Sequence, residues 1–293
     1  MIRLWGKVIR PLVSAATAKT ILEIGAEFGT STNVLLNYVR QVGGHLHSID
    51  PLPGFDAEQL QADNRGVLTL YRDLSLDVLP TMPQVDVALV DGDHNWFTVY
   101  NELKLIEQIH ARDPLRQPLL FVHDIGWPYG RRDLYYDPST IPEEFRQPYQ
   151  RKGIFPRRSE LAADGGLNLE LCNAVTEGGE RNGVLTGVED YIAGSALEFC
   201  FLKLPFYYGL GILVTRQRLA VCAPLQAEID KLQHALQGEE LIGLAEHMRC
   251  TEGVILQTLN RQLLASQKRV EELEAELARV RAAPGRDTST GEA

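Results

Sequence analysis

Along the first half of the chain, short β-rich apolar runs alternate with stretches of helical spacing, the pattern of a parallel sheet with helices on both faces. Thr20–Gly25, His45–Asp50, Val67–Tyr71, Val85–Val90 and Leu119–His123 read as strands one to five. Thr30–Val42 reads as the first crossover helix, and near Phe97–Ala111 the apolar residues Leu103, Ile106 and Ile109 recur at helical spacing. Leu197–Leu204 and Gly209–Thr215, separated by Pro205 and an aromatic turn, read as a closing hairpin suited to an antiparallel edge. The expectation is an α/β domain built on a seven-stranded sheet.

From Gly126 to about Ile192 the periodicity breaks. An insertion that long inside a compact domain is usually either functional or disordered, and Trp127, Tyr129, Tyr135, Tyr136, Phe145 and Tyr149 argue that it is ordered. After Ala223 the chain turns helical, with Leu225, Ile229, Leu232 and Leu236 on one face. Leu256, Leu263, Val270 and Leu277 then recur every seven residues, and Leu259, Ser266, Leu273 and Val280 follow three positions later. That is a coiled-coil seam with a polar defect at Ser266. The expected organisation is a sheet domain over 1–218 with an acceptor-side lid at 126–192. A helical extension follows over 219–283, carrying a coiled coil at 256–280 and followed by a disordered tail at 284–293. A homo-oligomer through the coiled coil is expected.

Charge narrows the partners. A formal net charge of −10 over 293 residues repels a nucleic-acid backbone. The four cysteines, Cys172, Cys200, Cys222 and Cys250, form no CxxC pair and read as free thiols in a reducing compartment. No apolar run reaches the roughly 20 residues of a membrane span, and Arg3, Lys7 and Arg10 interrupt the N-terminal apolar positions. A cytoplasmic protein is expected.

The first strand runs into a glycine turn, Glu23-Ile-Gly25-Ala-Glu-Phe-Gly29. Gly25 and Gly29 let the backbone approach a ligand at the carboxyl end of that strand, where open α/β sheets bind. The E-x-G-x-x-x-G spacing departs from the dinucleotide G-x-G-x-x-G pattern, so a pyrophosphate cradle is not what it offers. Asp50 closes the second strand, where a carboxylate can accept both hydroxyls of a ribose. Asp73 and Ser75 follow the third strand, within reach of an adenine.

Asp91-Gly-Asp93-His94 ends the fourth strand and His123-Asp124 the fifth. If these strands are neighbours, Asp91, His123 and Asp124 converge as a site for a hard divalent ion such as Mg²⁺ or Mn²⁺. His94 and Asp93 stand as candidates for a general base, and histidine has the better intrinsic pKa near neutrality.

At these residues, over about Thr20–Arg216, the sequence resembles the Rossmann-like class I S-adenosylmethionine-dependent methyltransferases. Within that class it is similar to the small-molecule and sugar O-methyltransferases of the macrocin, mycinamicin and cephalosporin-hydroxylase-like group. The resemblance implies S-adenosylmethionine as cofactor, contacted by Glu23, Gly25, Gly29, Asp50, Asp73 and Ser75. It also implies a metal at Asp91 and Asp124, with His123 standing where an acid is usual. The three-residue spacing from Asp91 to His94 matches the base histidine of the sugar enzymes and favours His94 over Asp93. The acceptor it implies is a hydroxylated small molecule, and the basic lid residues Arg131, Arg132, Arg146, Arg151, Lys152, Arg157 and Arg158 suit an anionic or glycosylated one. Two other readings compete. One is a catalytically silent domain that works by assembly through its coiled coil, and the other a nicotinamide oxidoreductase, which the glycine spacing disfavours.

Overall fold

In the computed structural model, which describes residues 1–282, the five expected parallel strands form as β1 (Thr20–Ile24), β2 (His45–Ile49), β3 (Leu68–Tyr71), β4 (Val87–Val90) and β5 (Leu119–His123). Three short strands follow: β6 (Leu134–Tyr135), β7 (Tyr149–Arg151) and β8 (Cys172–Ala174). The hairpin is β9 (Phe199–Leu204) and β10 (Leu210–Thr215). The large sheet has the order β3-β2-β1-β4-β5-β10-β9. β10 pairs antiparallel with both β5 and β9, so the hairpin's second strand lies inside the sheet and its first forms the edge.

Parallel strands covered on both faces read as continuous apolar runs, and β4 is buried at every position. Side chains alternate between faces with period two. Ile21, Val87 and Phe121 therefore enter one core cluster, while Leu22, Ala88 and Leu120 enter the other.

The first cluster is closed by α1 (Arg10–Ala15) and α2 (Thr30–Val42), the latter burying Leu35, Leu36 and Val39. On the β3 side lie the short α3 (Ala57–Asp63) and α4 (Ser75–Val78). The second cluster is closed by α5 (Trp96–Ile109), which buries Val99, Leu103 and Ile106, and by α6 (Val184–Gly194), which adds Val188 and Tyr191. α6 lies within the segment expected to lack regular structure. Its apolar positions Val184, Val188 and Tyr191 have helical spacing, but Gly183, Gly187 and Gly194 obscure it in the sequence. The rest of that segment holds a small sheet of order β6-β8-β7.

After β10 come α7 (Arg216–Val221), α8 (Ala223–Ala235) and a single long α9 (Glu239–Ala282). Leu225 and Ile229 of α8 are buried in the first core cluster, so packing crosses the boundary expected at 218/219. On α9, Val254 joins Tyr129, Leu134, Ile154 and Leu167 of the insertion in a separate cluster. The expected tail, 284–293, lies outside the described residues. Among the described residues no helix is long and apolar enough to cross a membrane, and all four cysteines are free thiols.

Candidate functional site

The strand order reverses at β1, which has β2 on one side and β4 on the other. A crevice therefore opens at the carboxyl ends of β1 and β4. Gly25 takes φ +90°, and a Cβ there would stand 2.3 Å from the carbonyl oxygen of Asp91, so only glycine lets the two strand ends approach this closely. Gly29, at φ +74°, opens α2. Asp50 ties the turn down: Oδ2 accepts from the Ala26 and Glu27 amides at 2.8 Å, and Oδ1 from the Leu52 amide at 2.9 Å. Beneath the turn, Glu23 Oε2 accepts from Thr32 Oγ1 at 2.8 Å and Ser48 Oγ at 2.7 Å, while its buried Oε1 has no partner. Burial pushes the Glu23 carboxyl up to about 7.

Beyond β3 the two expected contacts diverge. Asp73 is exposed and accepts from the Leu74 amide at 2.9 Å, whereas Ser75 turns inward and donates to Glu102 Oε1 at 2.5 Å. Glu102 is fully buried, its Oε2 is unpartnered, and burial pushes its carboxyl up to about 8. The sequence reading missed this residue because a glutamate amid the apolar positions of α5 looks like part of its solvent face.

At the ends of β4 and β5 the side chains converge. His123 Nδ1 lies 3.0 Å from Asp91 Oδ1 and 2.8 Å from Asp124 Oδ2. His94 Nε2 lies 2.8 Å from the same Asp124 oxygen and 4.0 Å from Asp91 Oδ1. Asp91 Oδ2 accepts from the Met1 amino group at 3.0 Å. Asp124 has φ +59°, a left-handed turn that aspartate tolerates better than most residues.

Electrostatics follow from this crowding. Burial would raise Asp124, but the charges of His94 and His123 hold it far below the usual carboxylate range. Burial would likewise lower His123, yet Asp91 and Asp124 push it up to about 10. His94 is raised for the same reason, chiefly by Asp124 against its own burial. Asp93 faces away from this cluster: its Oδ2 accepts from Thr98 Oγ1 at 3.0 Å on α5, and burial raises its pKa.

The donor atoms of Asp91, His123 and Asp124 all lie within 4.8 Å of one another, so one ion could take all three. Two carboxylates with one imidazole make a mixed set, which suits Mn²⁺ better than the all-oxygen preference of Mg²⁺. An ion entering there would displace the proton that His123 now carries between the two acids.

The insertion reaches this cluster directly, and the helical extension reaches it only through the hairpin turn. Tyr136 Oη lies 3.1 Å from His94 Nδ1 with its side chain largely exposed, and the Tyr129 ring lies 5.7 Å from the His94 ring. Tyr208, in the hairpin turn, stands edge-on to His123 at 6.4 Å. Its amide donates to Glu246 Oε1 at 2.8 Å and the Arg249 guanidinium lies 4.3 Å from its ring centroid, both residues belonging to α9. No local signal in the sequence links positions so far apart.

Part of the basic character of the insertion is spent internally. Arg131 pairs with Glu189 at 2.7 Å. Arg132 is buried, donates to the carbonyls of Ala174 and Ser159, and faces Glu177 at 3.7 Å.

Residues 22–125 match a family model described as a methyltransferase domain. No curated protein matches the chain. Among solved structures, the chain is similar to a Podospora anserina methyltransferase with S-adenosylhomocysteine bound, at TM-score 0.42 and 14% identity over 71% of this chain and 76% of that one. A putative caffeoyl-CoA O-methyltransferase from Staphylococcus aureus is similar at TM-score 0.41 and 13% identity, over 71% and 80%. A Burkholderia thailandensis 1,6-didemethyltoxoflavin-N1-methyltransferase is similar at TM-score 0.37 and 11% identity, over 72% and 80%. The matched segment, 22–125, is the part of the chain that carries the glycine turn at the point where the strand order reverses.

Proposed function

We propose that the chain methylates a hydroxyl of a small hydroxylated acceptor such as a sugar, with His94 as the general base and a divalent ion at Asp91, His123 and Asp124. The observation that carries this reading is the convergence of His94 Nε2 on the Asp91–Asp124 pair directly beside Gly25. A silent assembly domain has no use for two imidazoles and two carboxylates crowded at the mouth of a crevice. The unpartnered Glu23 oxygen beneath the turn opened by Gly25 fits the cationic end of S-adenosylmethionine, and Asp50 retains lone pairs for a ribose.

S-adenosylmethionine, when bound, supplies an electrophilic methyl group on a sulfonium. With Glu23, Gly25 and Asp50 holding it, its methyl group would pass to the acceptor oxygen, leaving S-adenosylhomocysteine as a neutral thioether, and His94 Nε2 would take the hydroxyl proton. Nε2 lies 2.8 Å from Asp124, whose carboxylate would stabilise the ring once it has taken the proton. In the base form, Nδ1–H donates to Tyr136 Oη, which fixes the tautomer and leaves the Nε2 lone pair free. An ion on the two acids would lower the pKa of a coordinated hydroxyl. Arg131 and Arg132 are committed within the lid, and the exposed Tyr136 beside His94 supplies an aromatic contact suited to a sugar.

The test combines Mn²⁺ binding, followed by electron paramagnetic resonance, with S-adenosylhomocysteine release over a panel of sugars and phenols. Chelation should stop turnover and Mn²⁺ restore it, and Asp124→Asn should lose the Mn²⁺ signal. Turnover that persists in excess chelator and in Asp124→Asn would overturn the metal assignment.

A further inference from the structure

Two opposite faces of α9 have different surroundings. Val254, Gln257 and Arg261 meet the insertion, and Cys250, one turn before Val254, is buried: Val254 lies in the insertion's cluster, Gln257 Oε1 accepts from the Asn168 amide at 3.0 Å, and Arg261 donates to the Gly166 carbonyl. With Leu256 as heptad position a, these four residues occupy b and f, on the far side of the helix from a and d. The a and d residues are left uncovered: Leu256 is 61% exposed, Leu259 54%, Leu263 55%, Val270 53%, Leu273 47% and Leu277 49%. The lid contact therefore holds the helix with its leucine seam facing outward. From Gln262 to Arg279 every residue is exposed, so this part of α9 projects from the body of the molecule. An apolar stripe left bare along a projecting helix calls for a partner.

We infer that the partner is a second copy of this chain, joined in a parallel, in-register, two-stranded coiled coil over residues 256–280. Charge complementarity fits this occupant and this orientation. Arg269 falls at g and Glu274 at the following e, so in a parallel in-register pair each Arg269 meets Glu274 of the other copy, twice by symmetry. Valine at a with leucine at d, as in Val270 and Leu273, is the two-stranded preference. Ser266 meets itself across the axis at a d layer, a polar step that an in-register pair stacks and a shifted one would set against leucine. The lid face on b and f stays free of the dimer seam, so both copies keep their lid contacts and carry their crevices at the same end of the assembly.

Sedimentation of the full chain tests the inference independently of any methyltransferase activity. The chain should be a dimer, and Leu263→Asp with Leu273→Asp, at sites exposed in the monomer, should make it monomeric with its overall helical circular dichroism reduced and its melting otherwise retained. Ser266→Cys should give a disulfide-linked dimer under mild oxidation. Arg269→Glu should weaken dimerisation roughly tenfold, and Arg269→Glu with Glu274→Arg should restore it. A monomeric full-length chain, whether the seam is bare or taken by another protein, would overturn the inference. So would a dimer indifferent to the two aspartates, and a Ser266→Cys dimer that does not cross-link would overturn the parallel register.

Discussion

His94 Nε2 lies 2.8 Å from Asp124 Oδ2, although the two residues come from different strands and are separated by the whole of α5. The parallel pairing of β4 with β5, in register from Val87 with Leu119 to Val90 with Val122, brings them together. The ring is held on its other side by Tyr136. His94→Gln should lower turnover by about 10² to 10⁴, the usual range for a positioned base, while Mn²⁺ and cofactor binding persist. Tyr136→Phe removes one neutral hydrogen bond and should cost only about two- to tenfold in kcat. Stopped or initial-rate kinetics on the two variants check the ordering, and a Tyr136→Phe loss as deep as that of His94→Gln would assign the proton to the phenol instead.

Glu102 makes stability depend on pH. Its carboxyl is raised from 4.5 to about 8 in the folded state, so the folded chain binds a proton that the unfolded chain releases between those values. The stabilisation is fully present below 4.5 and is lost as pH rises through about 8, at up to about 1.4 kcal/mol per pH unit for the group. Glu102→Gln keeps an acceptor for Ser75 and removes the titration. Its melting temperature should therefore exceed that of the unmodified chain at pH 9 and match it near pH 5. Thermal denaturation across pH checks this, and parallel curves for the two proteins would contradict it.

Asp50 both holds the glycine turn and faces the site proposed for the ribose. Asp50→Asn replaces one of its two accepting oxygens by a donor, so it sets an NH₂ against backbone amides at Ala26 and Glu27 or at Leu52. Losing charged hydrogen bonds should weaken S-adenosylhomocysteine binding by about ten- to a hundredfold and lower the melting temperature as well. Calorimetry and thermal denaturation together check it; lowered stability with unchanged affinity would leave Asp50 a turn residue only.

Removing α9 should separate stability from acceptor turnover. Ending the chain after residue 238 keeps Leu225 and Ile229 in the core but strips Val254 from the insertion and Glu246 and Arg249 from Tyr208. Such a chain should fold and bind S-adenosylhomocysteine, with acceptor KM raised. Ending it at residue 217 also uncovers core positions filled by Leu225 and Ile229, about 1.5–3 kcal/mol for each side chain, and should destabilise the fold. Comparing melting temperatures and kinetics of the two truncations checks this, and equal stability of both would contradict it.

The sheet was legible because its strands are apolar runs bounded by turn residues. Their ends fall within about two residues of the expected positions, from β1 to the hairpin β9–β10. Asp91, His123 and Asp124 were legible as strand-end residues once β4 and β5 were placed side by side. α6 was not legible, since glycines interrupt its apolar spacing. The inward turn of Ser75 toward Glu102 was hidden as well, because only packing decides which way a hydroxyl points. The contact of Glu246 and Arg249 with Tyr208 spans 38 residues or more and leaves no periodic trace.

Isothermal calorimetry of the full chain decides whether the crevice at Gly25 is an S-adenosylmethionine site. S-adenosylhomocysteine should bind with a dissociation constant in the micromolar range, about −8 kcal/mol, while a nicotinamide dinucleotide at the same concentrations should give no binding heat. Binding of the dinucleotide, or no binding of S-adenosylmethionine or S-adenosylhomocysteine by the intact protein, would contradict the account.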